Sequence, residues 1–472
     1  MTVYLCAIDG GSQSTKVSII DASGAVHASA QVPLRPYELG PGGRAVHPDD
    51  DLWDTLTQAC RAVLASFDGD PRDIVAVGLC GIRFCRALVG ADGRLVEPVQ
   101  SWMDERVSRP LGDVDDAVTT VCSAGGYLAV RLTGARRDSA ASYQGMWPID
   151  HERQRWSTRP EELARTGMPL SLLPELVEPG GLLGRVSEEA ADQTGLASGV
   201  PVHATANDKA VEALGAGLLA PGTLVLSLGT YVTSMTVADA PAGADDRYWL
   251  NAAAVPGRQL VESAGVRRGM WTVSWLRQLV SSAAPDLVDP DDVEEWLDAG
   301  ARDVPAGCAG LMTLPDWLAP ADAPSRRGAF LGLDGSHGPH HLHRSIIEGI
   351  VLTMCDHAEA METALGHRAP RLVVAGGGAR SNLVMQIVSD VFDRPAQRSA
   401  VPDAAGLGAA ICAAVGAGVH RDVETAVEAM MRPGDVFGPD PDARRRYREV
   451  RQVYRGLRER TDPLHHAIAT LS

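Results

Sequence analysis

Apolar runs separated by polar, glycine-bearing turns organise the first residues of this chain. Val3 to Ile8 is an apolar run carrying β-branched residues and predicts a strand. Asp9-Gly10-Gly11-Ser12-Gln13-Ser14-Thr15-Lys16 follows and is rich in turn formers. Val17 to Ile20 predicts a second strand, ended by Asp21-Ala22-Ser23-Gly24. A strand, a polar glycine turn and another strand make a hairpin, not the strand-to-helix step of a P-loop or dinucleotide fold. The pattern recurs with Thr223 to Leu228, the turn Gly229-Thr230, and Tyr231 to Val237. A third glycine turn, Gly376-Gly377-Gly378-Ala379-Arg380-Ser381, follows the strand Arg371 to Ala375. It leads into a helix from Asn382 to Asp393, closed by Pro395. Leu383, Val384, Ile387, Val388, Val391 and Phe392 give that helix one apolar face. Arg444-Arg445-Arg446 begins a terminal amphipathic helix with Tyr447, Val450, Val453, Tyr454 and Leu457 on one side.

Two similar hairpins, about 220 residues apart, predict an internal duplication. Ala, Pro, Gly and Asp cluster between Ala240 and Asp246. Dividing the chain there gives an α/β protein of two lobes, residues 1–242 and 243–472, facing each other across a cleft. Small-molecule sites favour such clefts.

The chain has 472 residues and a formal charge of −17, from 43 Lys+Arg against 60 Asp+Glu. That surplus of acid argues against a nucleic-acid partner. No run of about 18 apolar residues suggests a membrane span. The first residues lack a basic segment and are not expected to be a signal peptide. The eight cysteines, in mostly apolar surroundings and without a CxxC, fit a cytoplasmic protein with reduced thiols. Only Lys16 and Lys209 are lysines, and neither follows a glycine, so a Walker A loop is excluded. Both fall in the segments that look most like sites.

Gly10 and Gly11 let a ligand approach the backbone of the first turn, Ser12, Ser14 and Thr15 add hydroxyls, and Lys16 adds a positive charge. Asp9, ending a buried strand, is a costly place for a carboxylate unless a cation such as Mg²⁺ offsets it. A plain hairpin with a polar turn remains the alternative. Asp208, in Asn207-Asp208-Lys209, follows the strand Val200 to His203 and precedes a helix from Ala210 to Leu214. It is read either as a helix N-cap or as a general base. Gly215 and Gly217 imitate a dinucleotide fingerprint, but they follow a helix, and Pro221 comes next. An NAD-dependent dehydrogenase would rest on them alone. His340, His341 and His343 are expected to be exposed, with no acidic or cysteine partner. Cys80 and Cys85 are expected to be buried thiols.

Taken in order, these segments resemble the FGGY carbohydrate kinases of the actin-like ATPase superfamily. The resemblance runs from Ile8–Lys16 through Gly78–Arg83, Ala91–Arg94 and Ser101-Trp102-Met103-Asp104-Glu105-Arg106. It continues with Tyr127-Leu128, Arg131–Gly134, Asp138, Ser142, Gly195-Leu196, Gly199–Val202 and Asn207-Asp208. Leu226–Thr230, Arg327–Leu333, Glu348-Gly349 and Gly376–Asn382 complete it. It implies two actin-like, ribonuclease H-like lobes that close on MgATP and a small sugar, ketose or polyol. It implies Asp208 as the base, Asp9 and Asp208 as the Mg²⁺ partners, and Arg83, Trp102, Asp104 and Asp208 facing the acceptor. Gly10, Gly11, Ser12, Ser14, Lys16, Gly229 and Thr230 would hold the phosphates and Gly265 would also bind the nucleotide, with Gly377, Gly378 and Asn382 bordering the adenosine.

Two departures stand out. Gly81-Ile82-Arg83-Phe84 carries neither the Gln-Met-His nor the Asn-Gln-Arg-Glu of family members, so neither a xylulokinase nor a glycerol kinase label transfers. Residues 107–126 form a stretch shorter than the family's and are expected to lack its helices. The competing reading is an ATP-binding regulatory protein with a lost sugar pocket. A homodimer stays open.

Overall fold

The computed structural model describes residues 2–238, 242–243, 245–283, 288–289, 292–320, 322–401 and 403–471. The first half contributes β1 (Tyr4–Gly10), β2 (Ser14–Asp21), β3 (Val26–Pro33), α1 (Asp51–Ser66), β4 (Ile74–Gly81), α2 (Ala124–Thr133), β5 (Leu182–Arg185), β6 (Pro201–Asn207) and α3 (Asp208–Gly215). The second contributes β7 (Thr223–Leu228), β8 (Val232–Ala238), β9 (Tyr248–Ala252), β10 (Gln259–Ser263), α4 (Val293–Asp303), α5 (Pro339–Leu365) and β11 (Arg371–Ala375). It ends with α6 (Asn382–Phe392), β12 (Ala396–Ser399), α7 (Ala404–Gly416), β13 (Pro433–Phe437) and α8 (Pro441–Ala469).

The two sheets repeat one strand order. The first runs β3-β2-β1-β4-β6-β5, and the second runs β10-β8-β7-β11-β12-β13 with β9 added at the β10 edge. In each, an antiparallel meander leads into two parallel neighbours, and an antiparallel strand closes the far edge.

Alternating side chains send each central strand into two cores. Leu5 and Ala7 of β1 join one apolar cluster, while Cys6 and Ile8 join another. In β7, Val225 joins the same cluster as Leu5, whereas Leu224, Leu226 and Leu228 face the opposite way. The outer face of the first sheet is covered by α1 and α2, and that of the second by α5, α6 and α8. Between the sheets lies a shared core built on α3 and α7. Burying each such leucine contributes about 2 kcal/mol. Strands covered on both faces read as unbroken apolar runs, which is why 223–228 and 371–375 were legible.

Helices α3 and α7 cross very closely. A Cβ on Gly215 would lie 1.8 Å from the Ala404 carbonyl oxygen, and one on Gly408 would lie 2.1 Å from that of Val211. Gly78 of β4 meets the Ala409 carbonyl in the same way, at 2.1 Å. Gly215 and Gly217 therefore serve a helix end and a left-handed turn (φ 82 at Gly217), not a dinucleotide loop.

Several expectations shift. The second hairpin pairs with β11, so the passage between sheets falls between Asn207 and Thr223 rather than at 242. The cluster at 240–246, of which 240, 241 and 244 lie outside the described residues, marks the loop between β8 and β9. Helix α7 returns from the second half to pack on the first sheet, so a single cut does not separate the lobes. Residues 118–122 form a strand paired with residues 86–90, where the truncated stretch had no element assigned. Val453 is 50% exposed, whereas Tyr447, Val450 and Tyr454 are buried, because at about 100° per residue Val453 falls at the margin of the arc the other three cover. Among the described residues no helix is long and apolar enough to cross a membrane. All eight cysteines are buried and unpaired.

Gly408→Ala should force α3 and α7 apart and destabilise the protein by at least about 2 kcal/mol. Gly112→Ala, where a Cβ meets nothing within 4 Å, should be near neutral. Urea unfolding of both variants checks the contrast.

Candidate active site

Each central hairpin ends in a three-residue turn, Gly11-Ser12-Gln13 in the first and Gly229-Thr230-Tyr231 in the second. The Gly11 amide donates to the Ser14 carbonyl at 3.1 Å and closes the first turn. The turns meet, because Gln13 Nε2 donates to Thr230 Oγ1 at 2.8 Å across the cleft. Gly265 packs under the second turn, where a Cβ would lie 2.5 Å from both the Tyr231 ring and the Val232 carbonyl. The third glycine turn abuts the same place. Gly376, at φ 87, and Gly378 lie against Leu228, and Gly377 is exposed. Ser381 caps α6 by accepting from the Val384 amide at 3.2 Å, and Asn382 accepts from Arg398.

Helix α3 begins at the C-terminal end of β6. Its cap is Asn207, whose side chain accepts from the Ala210 amide at 3.1 Å. Asp208 is therefore not the cap but the first helical residue, and it accepts from the Lys209 amide at 2.9 Å. Lys209 Nζ bonds Glu212 and Ser227, both at 2.8 Å. Asp9 faces the shared core at the matching place in the first sheet, paired in register with Lys16. Lys16 Nζ stands 4.0 Å from Asp403, the cap of α7.

Four carboxylates, Asp9, Asp208, Glu212 and Asp403, thus share a small volume with two ammonium groups. Burial, reinforced by Asp403 and opposed by Lys16, pushes Asp9 up to about 7. Burial also raises Asp208, and Arg83 and Lys209 oppose the rise. Both lysines of the chain are spent here. Among the described residues, no group of three or more His, Cys, Asp or Glu could enclose a metal ion.

On the acceptor side, Arg83 makes a bidentate pair with Glu262 at 2.6 and 2.8 Å, and its Nε lies 3.8 Å from Asp208. Trp102 is half-buried, and its indole N–H is buried without a protein acceptor. Asp104 is turned away from the cleft. Its oxygens accept from the Ala45 amide and from the Arg106 amide and guanidinium, so it fixes the loop carrying Trp102. Tyr37 donates to the Ser12 carbonyl at 3.3 Å, and burial, with Cys85 and Asp208 nearby, pushes its phenol up to about 12.

Sequence reasoning missed Glu212, Glu262 and Tyr37. Glu212 was accessible from helical spacing, four residues after Asp208 on one face. Glu262 carries no local signal, because its partner is 179 residues away. His343, expected to be exposed, is buried, with its Nε2 2.7 Å from Asp298, which Ser381 also contacts. The acidic partner comes from α4, which the sequence alone did not place beside α5.

Two repeated sheets with facing turns and a shared helical core define the actin-like ATPase architecture. Models of the FGGY family of carbohydrate kinases match this chain, the N-terminal domain over residues 4–112 and the C-terminal domain over residues 224–417. The chain belongs to that family. An uncharacterized sugar kinase of Escherichia coli K12, YgcE, is 41% identical over 97% of this chain and 94% of its own. A xylulose kinase of Staphylococcus epidermidis is 23% identical, covering 98% of each. The crystal structure of a xylulose kinase from Rhodospirillum rubrum superposes with a TM-score of 0.81 at 26% identity, covering 98% of this chain and 100% of that one. A gluconate kinase from Lactobacillus acidophilus shares the fold with a TM-score of 0.83 at 20% identity, covering 99% and 100%.

His47, beneath Tyr37, is buried with neither ring nitrogen hydrogen-bonded. Burial, only partly offset by Asp51, lowers it from 6.5 to about 4. The folded state therefore favours neutral His47. Its stability is intact above pH 6.5 and is lost as pH falls toward 4, because the unfolded chain binds the proton first. His47→Gln should remove about 3 kcal/mol of acid sensitivity over that window, measured as the difference between wild-type and variant unfolding free energies from pH 7 to pH 4.

Proposed function

We propose that this kinase transfers the γ-phosphoryl group of ATP to a hydroxyl of a small sugar, ketose or polyol, with Asp208 as general base. The observation that carries this reading is the contact between the two hairpin turns, with Asp208 at the start of α3 lying 3.8 Å from Arg83, whose guanidinium packs against Tyr231 of the second turn. Phosphoryl transfer asks little covalent chemistry of a protein. It needs the two oxygens in line with phosphorus and the charge neutralised. The backbone of Gly10, Gly11 and Ser12, with Ser14 and Lys16, would hold phosphate from one lobe. Gly229 and Thr230, braced by Gly265, would hold it from the other, and Gly377, Gly378 and Asn382 would border the adenosine.

The residues present suit a magnesium ion. Four carboxylates share this volume with two lysines, and the side chain of Asp9, nine-tenths buried, has no hydrogen-bond partner among the described residues. An ion that keeps its waters and binds through one or two carboxylates and phosphate oxygens needs no cage of three carboxylates. Asp9 and Asp208 would hold it, and when bound it supplies neutralisation of the phosphate charge. In the reaction, the acceptor oxygen forms its bond to the γ-phosphorus as the bond to ADP breaks, and the hydroxyl proton passes to Asp208. Arg83 and Lys209 oppose the rise that burial imposes on that carboxylate. Trp102, with an unpaired indole N–H, would orient the acceptor. The kinship with xylulose kinases supports a pentulose or polyol of similar size.

Asp208→Asn should keep ATP binding, read as a thermal shift, and should lower turnover by about 10²–10⁴-fold. ADP release with a panel of pentuloses and polyols measures the loss, and unchanged turnover would remove Asp208 as the base.

A further inference from the structure

Arg83 stands in the turn after β4, and Glu262 stands on β10 of the other sheet. Both terminal nitrogens of Arg83 are taken by the two oxygens of Glu262. Glu262 is 2% exposed and also accepts from Asn251 Nδ2 at 3.1 Å. Arg83 Nε lies 3.8 Å from Asp208 Oδ1, and each terminal nitrogen keeps a second N–H. The rings of Phe84 and Tyr231 flank the guanidinium, 5.4 and 6.0 Å from its carbon. The turn itself is strained, because Phe84 sits at φ 61, where bulky side chains are rare. Such strain persists where surrounding contacts over-determine it, and here it accompanies the aim of Arg83 across the cleft.

One guanidinium therefore lies between two carboxylates, one from each lobe. An acceptor bearing its own carboxylate would have to displace Glu262 from Arg83 or become a third carboxylate on one guanidinium, since Lys209 is already bound to Glu212. Like charges in a poorly solvated site repel strongly. An uncharged polyol meets neither obstacle. Discrimination by an unfavourable contact is as effective as discrimination by a favourable one. The fold does not settle the matter, since a xylulose kinase and a gluconate kinase share it.

The geometry points to Glu262 as a specificity-determining residue that reaches from the opposite lobe to occupy Arg83, reserving the acceptor site for uncharged ketoses and polyols against sugar acids. This rests on Arg83 and Asp208 facing the acceptor, as in the proposed function.

The test is a thermal-shift titration with a non-hydrolysable ATP analogue present, comparing xylitol with xylonate and D-xylulose with D-gluconate. Wild type should favour the uncharged ligands by tenfold or more. Glu262→Gln should bind the two sugar acids at least tenfold more tightly than wild type does, and the double variant Arg83→Met, Glu262→Gln should lose that gain. Unchanged sugar-acid affinity in Glu262→Gln overturns the proposal, as does a gain that survives loss of Arg83. A uniform fall for both ligand classes, the mark of a purely structural role, also overturns it. Should Glu262→Gln not fold, the wild-type ratio decides, with parity or a preference for the acids counting against the proposal. Failure of the kinase reading shows separately, as no ADP release by wild type with any acceptor.

Discussion

The tight crossing of α3 and α7 is the constraint on which the rest of the structure depends. Each helix begins where the last parallel strand of its sheet ends. Fixing the crossing therefore fixes both helix N-termini and, through the strands, both hairpin turns. Glycine is required at Gly215 and Gly408 because a Cβ would meet a backbone carbonyl, which cannot turn aside as a side chain can. Helix α7 is almost wholly alanine, glycine and small apolar residues, buried on nearly every side. A helix with no polar face belongs between two layers, and α7 lies between two sheets.

The electrostatics follow from that geometry. Strand ends and helix starts converge, and side chains placed there are close whether or not their charges agree. The two lysines lie where the carboxylates are densest. An ammonium group is a compact charge with three donors, and Lys209 uses it to bind Glu212 and Ser227 at once. Arginine serves where a planar fork is needed, as Arg83 does in facing Glu262 with two parallel bonds.

Much of the fold could be read from the chain because its central strands are buried on both faces. Continuous apolar runs bounded by glycine turns leave few alternatives, and strands 223–228 and 371–375 begin and end where the apolar pattern does. The division between lobes was misread for a physical reason. Proline, glycine and aspartate mark any exposed loop, and the loop between β8 and β9 carries them without separating the two sheets. The site was legible where its residues are sequence neighbours, as at Asp9–Lys16 and Asn207–Lys209. It was illegible where the chain returns from afar, as with Glu262 to Arg83 and Asp298 to His343. Asp104 shows the opposite error. A carboxylate two residues from Trp102 lies near the cleft in sequence, yet it spends every acceptor on Ala45 and Arg106.

The repeated sheets make one asymmetry informative. In the second sheet, the helix after the last parallel strand is capped by an aspartate, Asp403, which accepts from the Gly406 amide at 3.1 Å. In the first, the corresponding position is Asn207, which caps α3 from the Ala210 amide. An asparagine caps as well as an aspartate does, without a charge. With the cap supplied one residue earlier, Asp208 enters the first turn with a carboxylate that accepts from the Lys209 amide and faces Arg83 at 3.8 Å. The helix N-terminus favours its negative charge, while burial disfavours it. Asp208 is thus a first-turn carboxylate with no capping task. Asp403, at the symmetric address, spends its carboxylate on its own helix.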